Sequence, residues 1–367
     1  MSPAAPVRIL TVNAGSTSLK LTVISDGRRV AEFAGLDRAL TSPAPDAVVH
    51  RIVHGGHRTA AALVDDALVA DLRELVELAP LHQPPALDAL DRVRAALPGI
   101  PQVACFDTAF HTTMPAAAST YALPLRLREL VHAYGFHGLS HGWASTVARR
   151  VVPGARRVLV AHLGGGASLC AVLEGVSVDT TMGFTPLDGL VMATRSGSVD
   201  PGAVLWLAAH TDEDLGSVFE RESGLLGLCG SGDLRTVLHR VAAGDADASL
   251  AFEVYLHRLA RDAAGMVAAL GGLDVLVLTG GVGENSADVR TALADRLSWL
   301  GVAITEPTAD GSGTEAGAES VEITAPGAAV RTLVVPARED LRMATEAITI
   351  LTRVEPYECV GSVPLSG

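Results

Sequence analysis

The chain opens with a short apolar run, Val7 to Val12 (VRILTV). Six small or polar residues follow, Asn13-Ala14-Gly15-Ser16-Thr17-Ser18, and then the alternation Leu19-Lys20-Leu21-Thr22-Val23. This predicts a strand, a turn over 13–18 and a second strand. The pattern returns at Val158 to Leu173 (VLVAHLGGGASLCAVL), where Gly165, Ser168 and Leu169 stand as Gly15, Ser18 and Leu19 do in the first copy. Two similar halves are implied, each with a hairpin whose loop faces the other. Farther along, Ser249 to Leu270 carries apolar residues at helical spacing, Gly271-Gly272 can stop that helix, and Asp274 to Thr279 reads as a buried strand. The strand runs into Gly280-Gly281-Val282-Gly283-Glu284-Asn285-Ser286, a glycine-rich turn expected to open a helix over 285–300, where backbone N–H groups favour phosphate. Residues 307–319 read as an exposed loop and the last dozen residues as a loose tail.

Length and composition sharpen this picture. A chain of 367 residues exceeds one ordinary core, and a prior of about 150 residues per domain points to two. With 49% hydrophobic and 19% charged residues it can bury a large core. A net charge of -13 argues against nucleic-acid and anionic-membrane partners, which demand a basic face, and leaves a small ligand held by a few local arginines. Cys105, Cys170, Cys229 and Cys359 form no C-x-x-C pair, so reduced buried thiols are expected rather than a zinc knuckle or disulfide framework. With no basic and apolar leader and no apolar run of about 18 residues, the expected compartment is the cytoplasm. Arginine serves wherever else a basic residue is wanted, so Lys20, the chain's only lysine, invites a specific reason.

Read together, NAGSTSLK (13–20), HRIVHGGH (50–57), APLHQPP (79–85), FDTAFHTTMP (106–115) and YGFHGLSH (134–141) are specific. HLGGGAS (162–168), MGFTPLDGLVMATRSGSVDP (182–201), SGDLR (231–235) and GVGENS (281–286) continue the series. In order and spacing these segments resemble the acetate kinase family, from Val7 to about Glu346. The resemblance implies an α/β fold of two duplicated ribonuclease H-like domains, as in actin, hexokinase and the sugar kinases, with an interdomain cleft. It also implies a homodimer. The expected division is 1–111 with the returning segment 341–367, and 112–340.

Moving a phosphoryl group onto a carboxylate brings one anion against a more highly charged one, so catalysis should be mostly positioning and charge neutralisation. Arginine suits that task, because its planar fork matches carboxylate and phosphoryl oxygens and stays protonated. A lone arginine is most often a surface charge, but Arg51 lies in an apolar stretch ending in Gly55-Gly56, and Arg195 between a long Gly/Pro-rich segment and Ser196-Gly197. By resemblance Arg51 binds the substrate carboxylate, Arg195 and His137 stabilise the transferring phosphoryl group in a direct in-line transfer, and His82 is a further active-site histidine. His137 with His141, and His54 with His57, could be read as zinc pairs, but no third ligand stands at suitable spacing. Asp107 matches the family's proton donor or acceptor. Since a carboxylate acceptor has no proton to lose, Asp107 is expected instead to orient an arginine or a metal-bound water.

The resemblance further implies ATP/ADP as co-substrate with Mg2+, or Mn2+ in its place, at Asn13 and Glu339, whose oxygen donors leave most of an octahedral shell to water and phosphate. Lys20 would contact the nucleotide. So would His162, Leu163, Gly164, Gly165 and Gly166, then Asp233, Leu234 and Arg235, and lastly Gly281, Val282, Gly283, Glu284 and Asn285. Val53, Leu81, Phe136 and Pro186 match the small apolar pocket for the substrate's methyl group, though core packing would explain them equally. Several positions depart from the family. Gly165 replaces its usual asparagine, Gln83 stands where asparagine is common, His57 replaces a glutamate and Leu234 an aromatic residue, and the stretch between Val23 and Val48 is shorter. Alternatives are a propionate or other short-chain acid kinase, a pyrophosphate-linked enzyme, or a nucleotide-binding regulator without catalysis. A regulator would need no carboxylate clamp, and GVGENS favours ATP over pyrophosphate.

Overall fold

A computed structural model describes residues 7–14, 19–41, 43–307 and 319–353. The expected turn at 15–18, nearly all of the loop expected at 307–319, the tail beyond 353 and Cys359 lie outside those residues. The first strand, β1 (Arg8–Ala14), pairs antiparallel with β2 (Leu19–Ser25), so Asn13 and Ala14, expected in the turn, continue the strand instead.

Two six-stranded sheets carry the fold. The first adds β3 (Arg28–Phe33), β4 (Ala47–Ile52), β5 (Ala62–Leu63) and β6 (Gln102–Phe106), in the order β3-β2-β1-β4-β6-β5. The second is built from β7 (Arg157–Leu163), β8 (Ala167–Leu173), β9 (Val176–Thr180), β10 (Val275–Thr279), β11 (Val321–Glu322) and β12 (Arg331–Val334). Its order is β9-β8-β7-β10-β12-β11, the same order in the same relative positions. In each sheet the hairpin strands are antiparallel, the middle strands parallel and the last edge strand antiparallel. Each hairpin has an irregularity against its third strand at the same place, between Val23 and Ile24 and between Ala171 and Val172. The duplication read from sequence is therefore present, but its alignment shifts. The registers pair Asn13 with Lys20 and His162 with Ser168, so Leu19 corresponds to Ala167, not Leu169, and Ser168 corresponds to Lys20. The reason is that four residues separate the strands of the first hairpin and three those of the second.

The inner strands β4, β6 and β10 are buried on both faces and read as near-continuous apolar runs, as parallel strands under helices must. The buried His50 on β4 is paired with Oε1 of Gln102 on β6 at 2.8 Å, and burial lowers its pKa to about 4. Two helices tie the halves together. The helix Gly138–Val151 packs on β7 and β10, the helix Glu339–Arg353 on β1, β2, β4 and β6, and each touches the other. The expected helix at 249–270 runs Ala246–Leu270, begun by an Asp245 cap and stopped by Gly271 at φ 68°. At the glycine-rich turn the reading needs correction. Gly280–Asn285 is itself a helical turn leaving β10 directly, Ser286 caps a separate helix Ala287–Arg296, and Ser298–Leu300 is a 3-10 turn. The glycines do not delay the helix, because Gly280 takes φ 79° where a Cβ would stand 2.6 Å from Leu163 O. Cys105, Cys170 and Cys229 are buried free thiols. No helix among the described residues is long and apolar enough to cross a membrane.

Candidate active site

The strand ends of both sheets meet at a cluster of charge. Arg51, on β4, gives Asp107 a bidentate grip: Nη2 donates to Oδ2 at 2.6 Å and Nε lies 3.2 Å from Oδ1 and 3.1 Å from Oδ2. Nη1 donates to Asn13 Oδ1 at 3.1 Å and stands 3.6 Å from Glu339 Oε2. Asn13 Nδ2 in turn donates to Glu339 Oε2 at 2.7 Å. One N–H on each of Nη1 and Nη2 is left for an outside acceptor. Burial pushes Asp107 up to about 6 against the opposing pull of Arg51, so it is mostly ionised at neutral pH. Burial would also raise Glu339, but Arg51, the Asn13 hydrogen bond and the charge of Lys20 hold it below the ordinary range. Lys20 faces Asn13 across the hairpin, solvent-exposed, and its charge bears on Glu339 and His162.

His137 approaches from the N-terminus of Gly138–Val151 in a left-handed conformation, φ 58°. Gly138 makes that entry feasible: its N–H donates to Asp107 O at 2.9 Å, and a Cβ there would stand 2.2 Å from that oxygen. His137 Nδ1 faces Ser168 Oγ at 2.9 Å, and its ring lies 4.4 Å from that of His162, whose Nδ1 faces Ser140 Oγ at 2.8 Å. Burial lowers both rings, His162 to about 4 and His137 well below the usual histidine range, so both are neutral donors or acceptors rather than cations. Arg195 completes the ring of groups. Its Nη1 donates to Pro186 O at 3.2 Å and its Nη2 to His82 Nε2 at 3.0 Å, an acceptor role that fits a His82 lowered to about 3 by burial and by Arg195 itself.

The loop Gly164-Gly165-Gly166 connects this centre to a cavity. A Cβ on Gly166 would stand 3.4 Å from His137 Nε2 and 3.7 Å from Arg195 Nη1, so the loop passes within ordinary contact of both side chains. On the loop's other side a cavity of about 440 Å³ is lined by Gly164, Gly165, Asp233, Leu234 and Arg235 and, from the last turn, Gly281, Val282 and Asn285. Other expected nucleotide positions do not line it. Leu163 is fully buried in the core, Gly283 packs on the Leu278 backbone, and Glu284 Oε1 accepts from Ala337 N at 2.9 Å. Sequence reading missed Ala193, Leu225 and Tyr255 in the lining. The only hint of Tyr255 was a polar tip on the inward face of an apolar helix; its hydroxyl is buried without a partner.

Of the expected methyl pocket, Val53 and Phe136 share one buried cluster, Pro186 is buried beside Arg195, and Leu81 is half-buried next to His82. Gln83 clamps the backbone of His54 in both directions, its Oε1 accepting from His54 N at 3.2 Å and its Nε2 donating to His54 O at 3.0 Å. Among the described residues no three His, Cys, Asp or Glu side chains are grouped to hold a metal.

With the geometry in view, residues 39–345 match the acetokinase family. The chain is similar to the acetate kinase of Streptomyces coelicolor, 39% identical over 361 residues, covering 94% of this chain and 88% of the relative. Its fold is similar to the crystal structure of Porphyromonas gingivalis acetate kinase, with a TM-score of 0.80, 32% identity, and coverage of 94% of this chain and 100% of that one. A propionate kinase from Francisella tularensis matches equally well, with a TM-score of 0.80, 32% identity, and coverage of 93% and 98%.

Proposed function

The chain belongs to the acetokinase family, and from that premise we propose that it is an acetate kinase, transferring the γ-phosphoryl group of ATP to acetate to give acetyl phosphate and ADP. The observation that carries this is the junction at Gly164–Gly166. A buried Arg51–Asp107–Asn13–Glu339 cluster with His137 and Arg195 lies on one side, and a 440 Å³ cavity of nucleotide size on the other.

In this reading a carboxylate docks on the outer N–H groups of Arg51, with its methyl group toward Val53, Leu81, Phe136 and Pro186. One carboxylate oxygen attacks the γ-phosphorus in line, the bond to the β,γ-bridging oxygen breaks, and ADP leaves with that electron pair. Arg195 and His137 face the equatorial oxygens, His82 steadies Arg195, Lys20 follows the phosphates, and Asp107 holds Arg51 in place rather than removing a proton. The donor set at Asn13 and Glu339 suits a hard divalent cation, Mg2+ or alternatively Mn2+: an amide and a carboxylate kept ionised stand side by side, leaving most of the shell to water and phosphate. When bound, the ion supplies neutralisation of phosphate charge. Pyrophosphate would leave the cavity beside Val282 unused.

Residues 1–111 with 341–367 would form one domain and 112–340 the other; the packing of Glu339–Arg353 on the first sheet supports that division. The helix Pro201–His210 (PGAVLWLAAH) supports a homodimer. It carries no Asp, Glu, Lys or Arg and buries none of its residues, with Leu205 72% and Trp206 59% exposed, a face that a second copy would cover. ATP dependence and acidic charge suit a cytoplasmic enzyme without nucleic-acid or membrane partners.

The deciding assay is acyl hydroxamate formation with Mg-ATP and hydroxylamine across formate, acetate, propionate and butyrate, beside a no-acid control and Arg195→Ala. Acid-dependent product abolished in the variant is expected, with acetate highest in kcat/KM. Since a methylene is worth only about 1–3 kcal/mol, propionate should also react. No product from any acid would remove the reading.

A further inference from the structure

Ser168 stands between two histidine rings. Its Oγ is 2.9 Å from His137 Nδ1 and 2.8 Å from His141 Nε2, and Ser168 and His141 are both fully buried. A hydroxyl has one proton to give and two lone pairs that accept. Among the described residues the two rings are the only partners of the buried Ser168 Oγ, so its proton must go to one of them: that ring accepts, and the other donates.

The choice is made at the far side of His141. Its Nδ1 is buried with no hydrogen-bond partner, and a buried N–H without an acceptor is rarer in folded proteins than an underused acceptor. The neighbouring His111 offers no acceptor, because its Nε2 is 2.9 Å from Phe136 O and its Nδ1 2.9 Å from Ser177 Oγ. His141 therefore carries its hydrogen on Nε2 and donates to Ser168. Ser168 turns its own hydrogen to His137 Nδ1, which leaves the neutral His137 ring with its hydrogen on Nε2.

That nitrogen faces the Gly166 loop: it and Arg195 Nη1 both lie within 4 Å of where a Cβ on Gly166 would stand. We infer that His141 and Ser168 are positioning residues that lock His137 as the Nε2–H tautomer, so that an N–H and not a lone pair meets the phosphoryl oxygens. The opposite setting would aim a lone pair at an anion. A second pair repeats the arrangement: Ser140, next to His141 in the chain, lies 2.8 Å from His162 Nδ1, and His162 Nε2 is 3.8 Å from where a Cβ on Gly164 would stand. The inference rests on the function proposed above for the role of His137, though not for the hydrogen-bond relay itself.

Long-range 1H–15N correlation of protein labelled in its histidine rings tests the relay directly. The wild-type protein is expected to show His137 and His141 neutral and protonated on Nε2. Ser168→Ala should mix the His137 tautomers and lower kcat by about 10–100-fold, the usual cost of losing an orienting partner, with KM for ATP and acid changed less than about twofold. Ser168→Thr, which keeps the hydroxyl, should restore both. A wild-type spectrum with His137 protonated on Nδ1 overturns the inference whether or not any variant folds. A folded Ser168→Ala with unchanged kcat overturns it too. If the wild-type chain phosphorylated no acid, the proposed function would fail while the spectra still decided the relay.

Discussion

The two sheets are the same structure used for opposite electrostatic tasks. At the ends away from the cleft they remain alike. Arg8 N donates to Asp46 Oδ2 at 2.7 Å and Arg157 N to Asp274 Oδ2 at 2.8 Å, and each aspartate N–H returns a bond to the arginine carbonyl. At the cleft ends the registers set Asn13 against His162, Lys20 against Ser168, Arg51 against Thr279 and Asp107 against Ala337. Every ionised group of those four positions lies in the first half, and the second offers neutral rings, hydroxyls and glycine backbone. Two charged copies would set like groups facing each other across a narrow cleft. Under the proposed function, this division of labour between the hairpins sets the ionised Arg51 and Asp107 on the carboxylate side, while the second hairpin faces the phosphate chain with neutral rings, a hydroxyl and glycine backbone, the charge there coming from Arg195 outside the hairpin.

The largest test makes the first half imitate the second. Arg51→Thr copies Thr279 and should lower kcat/KM for acetate by about a thousandfold, since it removes the fixed charge opposite the reacting anions. It should also cost about 3–5 kcal/mol of stability in urea unfolding at pH 7, because Asp107 is left buried and unpaired. Adding Asp107→Ala, the copy of Ala337, should return most of that stability and none of the rate. A double variant within about tenfold of wild-type activity would mean that the asymmetry between the halves is not where catalysis resides.

The duplication was legible in sequence, the asymmetry between its copies was not, and the reasons are physical. The hairpins, the buried strand before Gly280 and the helix ending at Gly271 follow from periodicity and motif, and of the two roles expected for Asp107, orienting an arginine or a metal-bound water, the structure shows the arginine, Arg51. The residue-by-residue alignment of the repeat was not legible, because matching Ser18 to Ser168 follows letters whereas a loop shorter by one residue moves the partner to Lys20. Glycine in 280–286 suggested an open turn, yet helix forms at once because positive φ is needed only at Gly280 in that segment. Tyr255 was invisible, and Ser168 was read only as a letter of the repeat, because a side chain on an apolar helix or strand looks like core until its neighbours across the fold are known.

A smaller effect probes the other diverged pair. Lys20→Ser gives the first hairpin the residue of the second and should raise KM for ATP about tenfold, the worth of one charge-assisted hydrogen bond. KM for acetate should hardly move if, as proposed, Arg51 is the carboxylate clamp. Equal rises in both constants would show that Lys20 shapes the cleft as a whole and not the nucleotide side.

The conserved ends can be separated by stability. The Arg157 hydrogen bonds and neighbouring N–H groups hold Asp274 at about 2 against an ordinary 3.8, burial opposing them. Arg157 Nε also donates to Asp274 Oδ1 at 3.0 Å, whereas Arg8 Nε is buried without a partner. A carboxylate with a depressed folded pKa stabilises above its unfolded pKa, and that stability is lost as pH falls, here from about 4 toward 2. Asp274→Asn should therefore cost about 1 kcal/mol at pH 7, allowing for partial exposure, and flatten the acid arm of the stability curve. Asp46→Asn should cost less. Chemical denaturation at pH 7, 4 and 2.5 compares the two, and a larger loss for Asp46→Asn would reverse the ranking of the straps.

The smallest expected effect lies in the loop that joins the halves' work. A Cβ at Gly165 would meet nothing within 4 Å, and its φ lies outside the left-handed region, so neither crowding nor backbone geometry forces glycine there. Gly165→Asn should fold with unchanged stability. A new amide beside the phosphate path should lower KM for ATP by about two- to fivefold, the range of one neutral hydrogen bond. Gly166→Asn, one residue on, should instead lose kcat, because its Cβ would already touch the His137 ring at 3.4 Å and the amide beyond it would compete for the space between His137 and Arg195. If both variants behaved alike, the loop would be sensed as one flexible unit. If they part as expected, the second hairpin works through backbone placed residue by residue, as the first works through side chains.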